Sequence, residues 1–156
     1  MLDRDILSRM IKDTACVSKR EEYNKFLVEL RENGTKDSVV TIRNLPYDAI
    51  VIKADIFKSP DKLFNGKNGE CKRADFIIIS AEKKCIVYIE IKRKKDNNEK
   101  ITKQLKGAEC LLKYCQEIGK SFWGKRDFLV NYKHHFVYIS HTGLSIPKRP
   151  TQFKKN

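Results

Sequence analysis

The sequence predicts one α/β domain in three layers, a central mixed β-sheet flanked by helices. Three observations lead there. The chain has 156 residues, the length of one domain. Two runs, 73–80 (RADFIIIS) and 85–92 (CIVYIEIK), are almost continuously apolar, as strands covered on both faces are. Helical and strand patterns also alternate along the chain in the order α-α-β-β-β-β-α-β. A composition that is 40% hydrophobic supplies a core and argues against disorder.

Taken in order, residues 2–13 read as a helix, with Leu2, Ile6, Leu7, Met10 and Ile11 at helical spacing. A second helix is expected over 19–32, capped by Ser18, striped by Tyr23, Phe26, Leu27 and Leu30, and ended by Asn33-Gly34. Strands follow at 38–43 and 49–53, broken by Asn44-Leu-Pro46. Residues 58–70 form a polar loop, and a loop that long in a compact domain is either functional or mobile. After the apolar pair, a helix spans about 99–118, with Ile101, Leu105, Ala108, Leu112, Cys115 and Ile118 as its stripe and Gly119 as its stop. A last strand fits 134–140. Residues 1–147 make the domain and 148–156 a basic tail.

Thirty-three Lys and Arg against twenty Asp and Glu leave a formal charge of +13. Such a surface suits a polyanionic partner, because cationic side chains neutralise phosphates and release counterions. No run approaches the roughly 20 apolar residues of a membrane span, and no signal-peptide pattern opens the chain, so a cytoplasmic protein with no membrane partner is expected. Five cysteines without a C-x-x-C pair read as reduced thiols. Cys110, Cys115, His134, His135 and His141 are poorly spaced for zinc.

The chemistry concentrates in the central hairpin. Few charges interrupt its strands: Arg73, Asp75, Glu90 and Lys92. Glu90 and Lys92 share a face, about 6.5–7 Å apart along the strand. A two-residue turn at Glu82-Lys83 and a four-residue turn over 81–84 lead to the same register, which sets Asp75 opposite Glu90 and Arg73 opposite Lys92. Directly opposed carboxylates repel. A hard divalent cation, Mg²⁺ or Mn²⁺, removes that repulsion, and the Ile91 backbone carbonyl adds an oxygen ligand. Lys92 then stands where it can position or help deprotonate an attacking water, or stabilise charge on a phosphate. A solvated strand-end ion pair is the alternative reading of the same residues.

The stretch K-R-A-D-F-I-I-I, fourteen residues after Asp75, then E-I-K, resembles the PD-(D/E)xK, or restriction-endonuclease-like, nuclease superfamily. The resemblance covers about residues 20–140, with specific residues only at 73–92. Ala74 stands where the family usually has Pro. It implies an αβββαβ core, here with an extra N-terminal helix and an extra strand. It further implies that Asp75 and Glu90 bind the metal and that Lys92 assists catalysis. Relatives of the RecB type often carry a Gln on the next helix, which makes Gln104 a candidate. Many relatives also bring a Glu from the first core helix; Glu22 or Glu29 would fill that role on a 19–32 helix, with Glu70 a weaker choice.

Lys72, Arg73, Arg93, Lys94, Lys95 and Lys103 form the expected phosphate-binding rim, extended by Lys67, Lys100 and the tail. The 58–70 loop and the segment around Trp123 could supply stacking or wedge groups, although Trp123 and Phe128 are better read as packing residues. The function expected is metal-dependent hydrolysis of DNA phosphodiester bonds, with an endonuclease favoured. A junction resolvase or RNA nuclease of the same fold is the alternative, and a non-catalytic nucleic-acid-binding module is the alternative of another class. DNA is preferred to RNA as partner, with a homodimer or a targeting protein as further partners.

Overall fold

The computed structural model describes residues 1–32 and 39–140. The Asn33-Gly34 stop and the basic tail 148–156 lie outside them. Helix α1 (Asp3–Met10) is followed by strands β1 (Arg20–Glu22), β2 (Lys25–Arg31), β3 (Val39–Leu45) and β4 (Ile50–Lys53), then β5 (Phe76–Ser80), β6 (Cys85–Lys92), helix α2 (Asn98–Phe122) and β7 (Lys133–Ser140). Short 3₁₀ turns occupy Asp13–Ala15 and Ala54–Ile56. The fold is mixed α/β, as expected.

One expectation fails at the level of layers: the described residues form two sheets, not one. The larger has the order β4-β5-β6-β7, with β7 parallel to β6 and the other pairs antiparallel. The smaller is the antiparallel β1-β2-β3. Side chains alternate across β5 and β6. Ile77, Ile79, Ile86 and Tyr88 meet α1 and α2, while Phe76, Ile78, Ile89 and Ile91 meet Val28 and Leu30 of β2. Burying each such side chain contributes about 1.5–3 kcal/mol, so a sheet apolar on both faces requires a cover on both. Helices cover one face and the small sheet covers the other.

The second correction follows. Residues 19–32 are not a helix but the β1–β2 hairpin. Tyr23 and Asn24, both at positive φ (50° and 59°), make its two-residue turn, whose twist suits antiparallel strands. The same segment also carries Phe26, Val28 and Leu30 two apart, and strand β3 supplies the backbone partners that make this period the stable one. Helix α2 starts on an Asn97 cap, whose side chain accepts from the Glu99 N–H at 2.8 Å. It runs through Gly119 rather than stopping there. Gly119 is a packing site: a Cβ would come within 2.1 Å of the buried Phe128 ring. Trp123 and Phe128 pack on the helix-side core. All five cysteines are free, with Cys115 buried and Cys110 exposed. Among the described residues no helix is long and apolar enough to cross a membrane.

Candidate active site

The hairpin register is the expected one, running from Phe76↔Ile89 to Ser80↔Cys85 around a four-residue turn. Asp75 stands one step before β5. Its N–H donates to the Ile89 carbonyl (3.1 Å), and its Oδ2 accepts from the Ile91 N–H (2.8 Å). These two bonds straddle Glu90 and hold the two acids across from each other. By strand alternation Asp75, Glu90 and Lys92 fall on the face that looks toward α2, in line with Ile77 and Tyr88.

Glu90 is 2% exposed. Lys92 Nζ lies 3.2 Å from its Oε1. Its Oε2 is buried and has no hydrogen-bond partner among the described residues. Burial, then the Asp75 charge, pushes the Glu90 carboxyl up to about 7 against the pull of Lys92. Burial is also the main cause of the rise of Asp75 to about 6, which the Ile91 N–H opposes. The charges of Asp55 and Glu32 raise Asp75 further, and Lys92 lowers it. Those two acids were not foreseen from the sequence. Asp55 lies in the 3₁₀ turn after β4, beside Ala54, whose N–H donates to the Asp75 carbonyl (2.9 Å). Glu32 follows β2 directly.

Gln104 belongs to the sheet-facing side of α2. It is half-buried, and its Oε1 is buried with no partner among the described residues. Three residues on, Gly107 touches the strand entry so closely that a Cβ would lie 1.7 Å from the Lys72 carbonyl oxygen. That contact seats α2 against the segment leading into Asp75.

The proposed helical glutamates are elsewhere. Glu22 and Glu29 are on strands of the small sheet and pair with arginines: Arg20–Glu29 at 3.3 Å, and Arg20–Glu22, Arg31–Glu29 and Arg43–Glu22 each at 3.5 Å. No helix carries them to the hairpin. Glu70 also serves another purpose, accepting from the Gly66 and Asn68 N–H groups at 2.9 and 2.8 Å. Backbone donors, first its own N–H and then that of Asn68, hold its carboxyl below the usual range.

The basic rim divides by role. Arg93, Lys94 and Lys95 are exposed directly after β6. The far end of their loop is anchored where the Asp96 N–H donates to the Tyr138 hydroxyl (3.0 Å). Lys72 is half-buried, and Lys103 pairs with Glu99 at 3.0 Å. Arg73, expected on the phosphate track, donates instead to the carbonyls of Asp55 and Phe57 and braces the neighbouring chain.

Among the described residues no three His, Cys, Asp or Glu side chains converge as a ready metal cluster, and Cys110, Cys115, His134 and His135 form no zinc site. The hairpin nevertheless fits one hard cation: its two opposed carboxylates are both drawn toward protonation, and Glu90 Oε2 is buried with no hydrogen-bond partner among the described residues. Comparison of the chain with protein-family models, with curated proteins and with solved structures gives no match.

Proposed function

We propose that the chain is a metal-dependent nuclease of the PD-(D/E)xK superfamily that hydrolyses DNA phosphodiester bonds, as an endonuclease. The observation that carries this reading is the half-buried Asp75 facing the buried Glu90, whose Oε1 meets the Lys92 ammonium while its Oε2 has no hydrogen-bond partner among the described residues. A structural ion pair would not need a second acid across the strand. The order α1, β4, β5, β6, α2, β7 around the larger sheet also supports the family, with β1–β3 as an insertion after α1.

Asp75 and Glu90, with the Ile91 carbonyl, would hold Mg²⁺ or Mn²⁺, which when bound supplies Lewis acidity toward a phosphate oxygen. The Lys92 ammonium favours the ionised form of Glu90 against its burial, and Lys92 in turn is fixed by Glu90. From there the ammonium orients the attacking water and stabilises charge that builds on the phosphate. The water oxygen bonds to phosphorus, the bond to the leaving sugar oxygen breaks, and that oxygen takes up a proton. Gln104 supplies a carbonyl oxygen from α2 to position the lysine or the water. Arg93, Lys94, Lys95, Lys72 and Lys103 lead the backbone across the strand ends by phosphate contacts. Free cysteines accord with a cytoplasmic location.

The test is cleavage of plasmid, single-stranded DNA, a four-way junction and RNA with Mg²⁺, Mn²⁺ or EDTA. Metal-dependent products from DNA are expected, and they should vanish in Glu90→Ala and in Lys92→Ala while binding persists. Junction-only or RNA-only cleavage would move the substrate class. Salt-sensitive binding with no product under any metal would leave a binding module.

A further inference from the structure

Four large apolar side chains exposed to solvent fall within nine residues: Ile56, Phe57, Leu63 and Phe64, with Leu63 79% and Phe64 48% exposed. The last two stand on the 58–72 loop, and that loop is built rather than slack. Ser59 Oγ donates to the Cys71 carbonyl (3.0 Å) and ties its two ends. The Leu63 and Phe64 N–H groups both donate to the Pro60 carbonyl (3.1 and 2.9 Å), and the Glu70 carboxylate caps Gly66 and Asn68. Gly69, at a φ of 82°, lies under Lys103, where a Cβ would meet the lysine Cδ at 2.6 Å. Closed ends and internal packing are the marks of an Ω-loop.

An ordered loop that holds Leu and Phe in water calls for a partner. Its charge says which kind: between 58 and 72 stand Lys58, Lys62, Lys67 and Lys72 against Asp61 and Glu70, and the Glu70 carboxylate is engaged by the loop's own backbone N–H groups. Cations around an exposed aromatic are the means of binding unpaired bases, the lysines holding phosphates while the ring stacks. Position agrees. The Phe64 carbonyl accepts from Cys71 Sγ (3.7 Å), and Cys71 is four residues from Asp75, at most about 15 Å of chain at 3.8 Å per residue. The apolar tip therefore lies within about six nucleotides of Asp75 at 3.4 Å per stacked nucleotide.

We propose that Leu63 and Phe64 form a wedge that stacks on unpaired bases next to the scissile phosphate, so that the enzyme prefers a junction of single and double strand to uniform duplex. This rests on reading Asp75, Glu90 and Lys92 as the hydrolytic site. The test separates the two by measuring binding without cleavage. In EDTA, anisotropy of a labelled fork and a labelled duplex, with 2-aminopurine at the unpaired positions, is compared for the full chain, Phe64→Ala, Leu63→Ser and Phe64→Trp, each shown folded by circular dichroism. Phe64→Ala should weaken fork binding about 5- to 100-fold, the effect of removing one base–aromatic stack, and change duplex binding less than about twofold. Leu63→Ser should act the same way, more weakly, and Phe64→Trp should keep the fork preference and the 2-aminopurine quenching. Equal effects on fork and duplex, no effect on either, or no binding of the full chain to either would overturn the wedge. So would dissociation of an oligomer by Leu63→Ser with fork preference intact, which would make the tip a protein interface. Quenching that depends on Phe64 without metal-dependent cleavage would sink the hydrolytic reading and leave the wedge standing.

Discussion

The two ends of the β5–β6 hairpin each hold a buried acid, and they are treated oppositely. At the turn end Asp48, 4% exposed, is fully served: Oδ1 accepts from Ser80 Oγ and Oδ2 from the Glu82 N–H, both at 2.8 Å. Ser80 Oγ in turn accepts from the Lys83 N–H (3.1 Å), so the turn closes on a satisfied network. At the open end Glu90 is as deeply buried, faces a second acid, and keeps one oxygen without a donor among the described residues. Burial alone therefore does not mark a functional carboxylate. What separates Glu90 from Asp48 is a facing acid together with a missing donor, and an unserved buried charge is costly.

The widest gap between the two ends should appear in activity. Glu90→Ala or Lys92→Ala is expected to reduce metal-dependent cleavage at least about 100- to 1,000-fold, whereas a variant at the turn end leaves the turnover of folded protein intact. Next in size is stability. Asp48→Ala strands the Ser80 hydroxyl and the Glu82 N–H and should lower Tm by roughly 5–15 °C, read by thermal denaturation. A Tm unchanged by Asp48→Ala would mean that the turn network contributes nothing.

A smaller effect separates the ends by pH. Asp75 and Glu90 sit at about 6 and about 7 in the fold, above the ordinary carboxylate values of 3.8 and 4.5. The folded chain thus binds these protons more tightly than the unfolded one. Their contribution to stability is fully present below pH ~4 and is lost as pH rises through 6 to 7. Tm should fall between pH 4 and 8 more steeply in the natural chain than in Glu90→Gln. At pH 8 Mg²⁺ should restore part of it in the natural chain only. The smallest effect is expected from Glu22→Gln or Glu29→Gln, below about 0.5 kcal/mol, because these acids belong to an exposed arginine network. A large loss of cleavage in either would reopen their claim on the site.

The hairpin was legible from the chain itself because its information is local. Two apolar runs, four charges and a short turn admit one register, and either turn length leads to it. Segment 19–32 was not legible, since its stripe fits a helix as well as a strand and the deciding partner, Val39–Leu45, lies beyond the turn. The same cause hid the second sheet, and with it the approach of Glu32 to Asp75. Arg73 looked free because its acceptors are main-chain carbonyls, which no residue pattern displays. Gly119 resembled a stop, when it is instead the space that Phe128 fills.

Gly107 has a consequence of a different kind. With helix backbone lying directly on the Lys72 carbonyl, the spacing between the strand entry and the helix bearing Gln104 depends on a missing carbon. Adding a methyl group there would lever the 72–75 segment outward and pull one acid away from its counterpart, although position 107 lies off the strand pair that holds the acids. The alignment of the two acids is thus set by a residue outside the hairpin, whose whole contribution is the side chain it lacks.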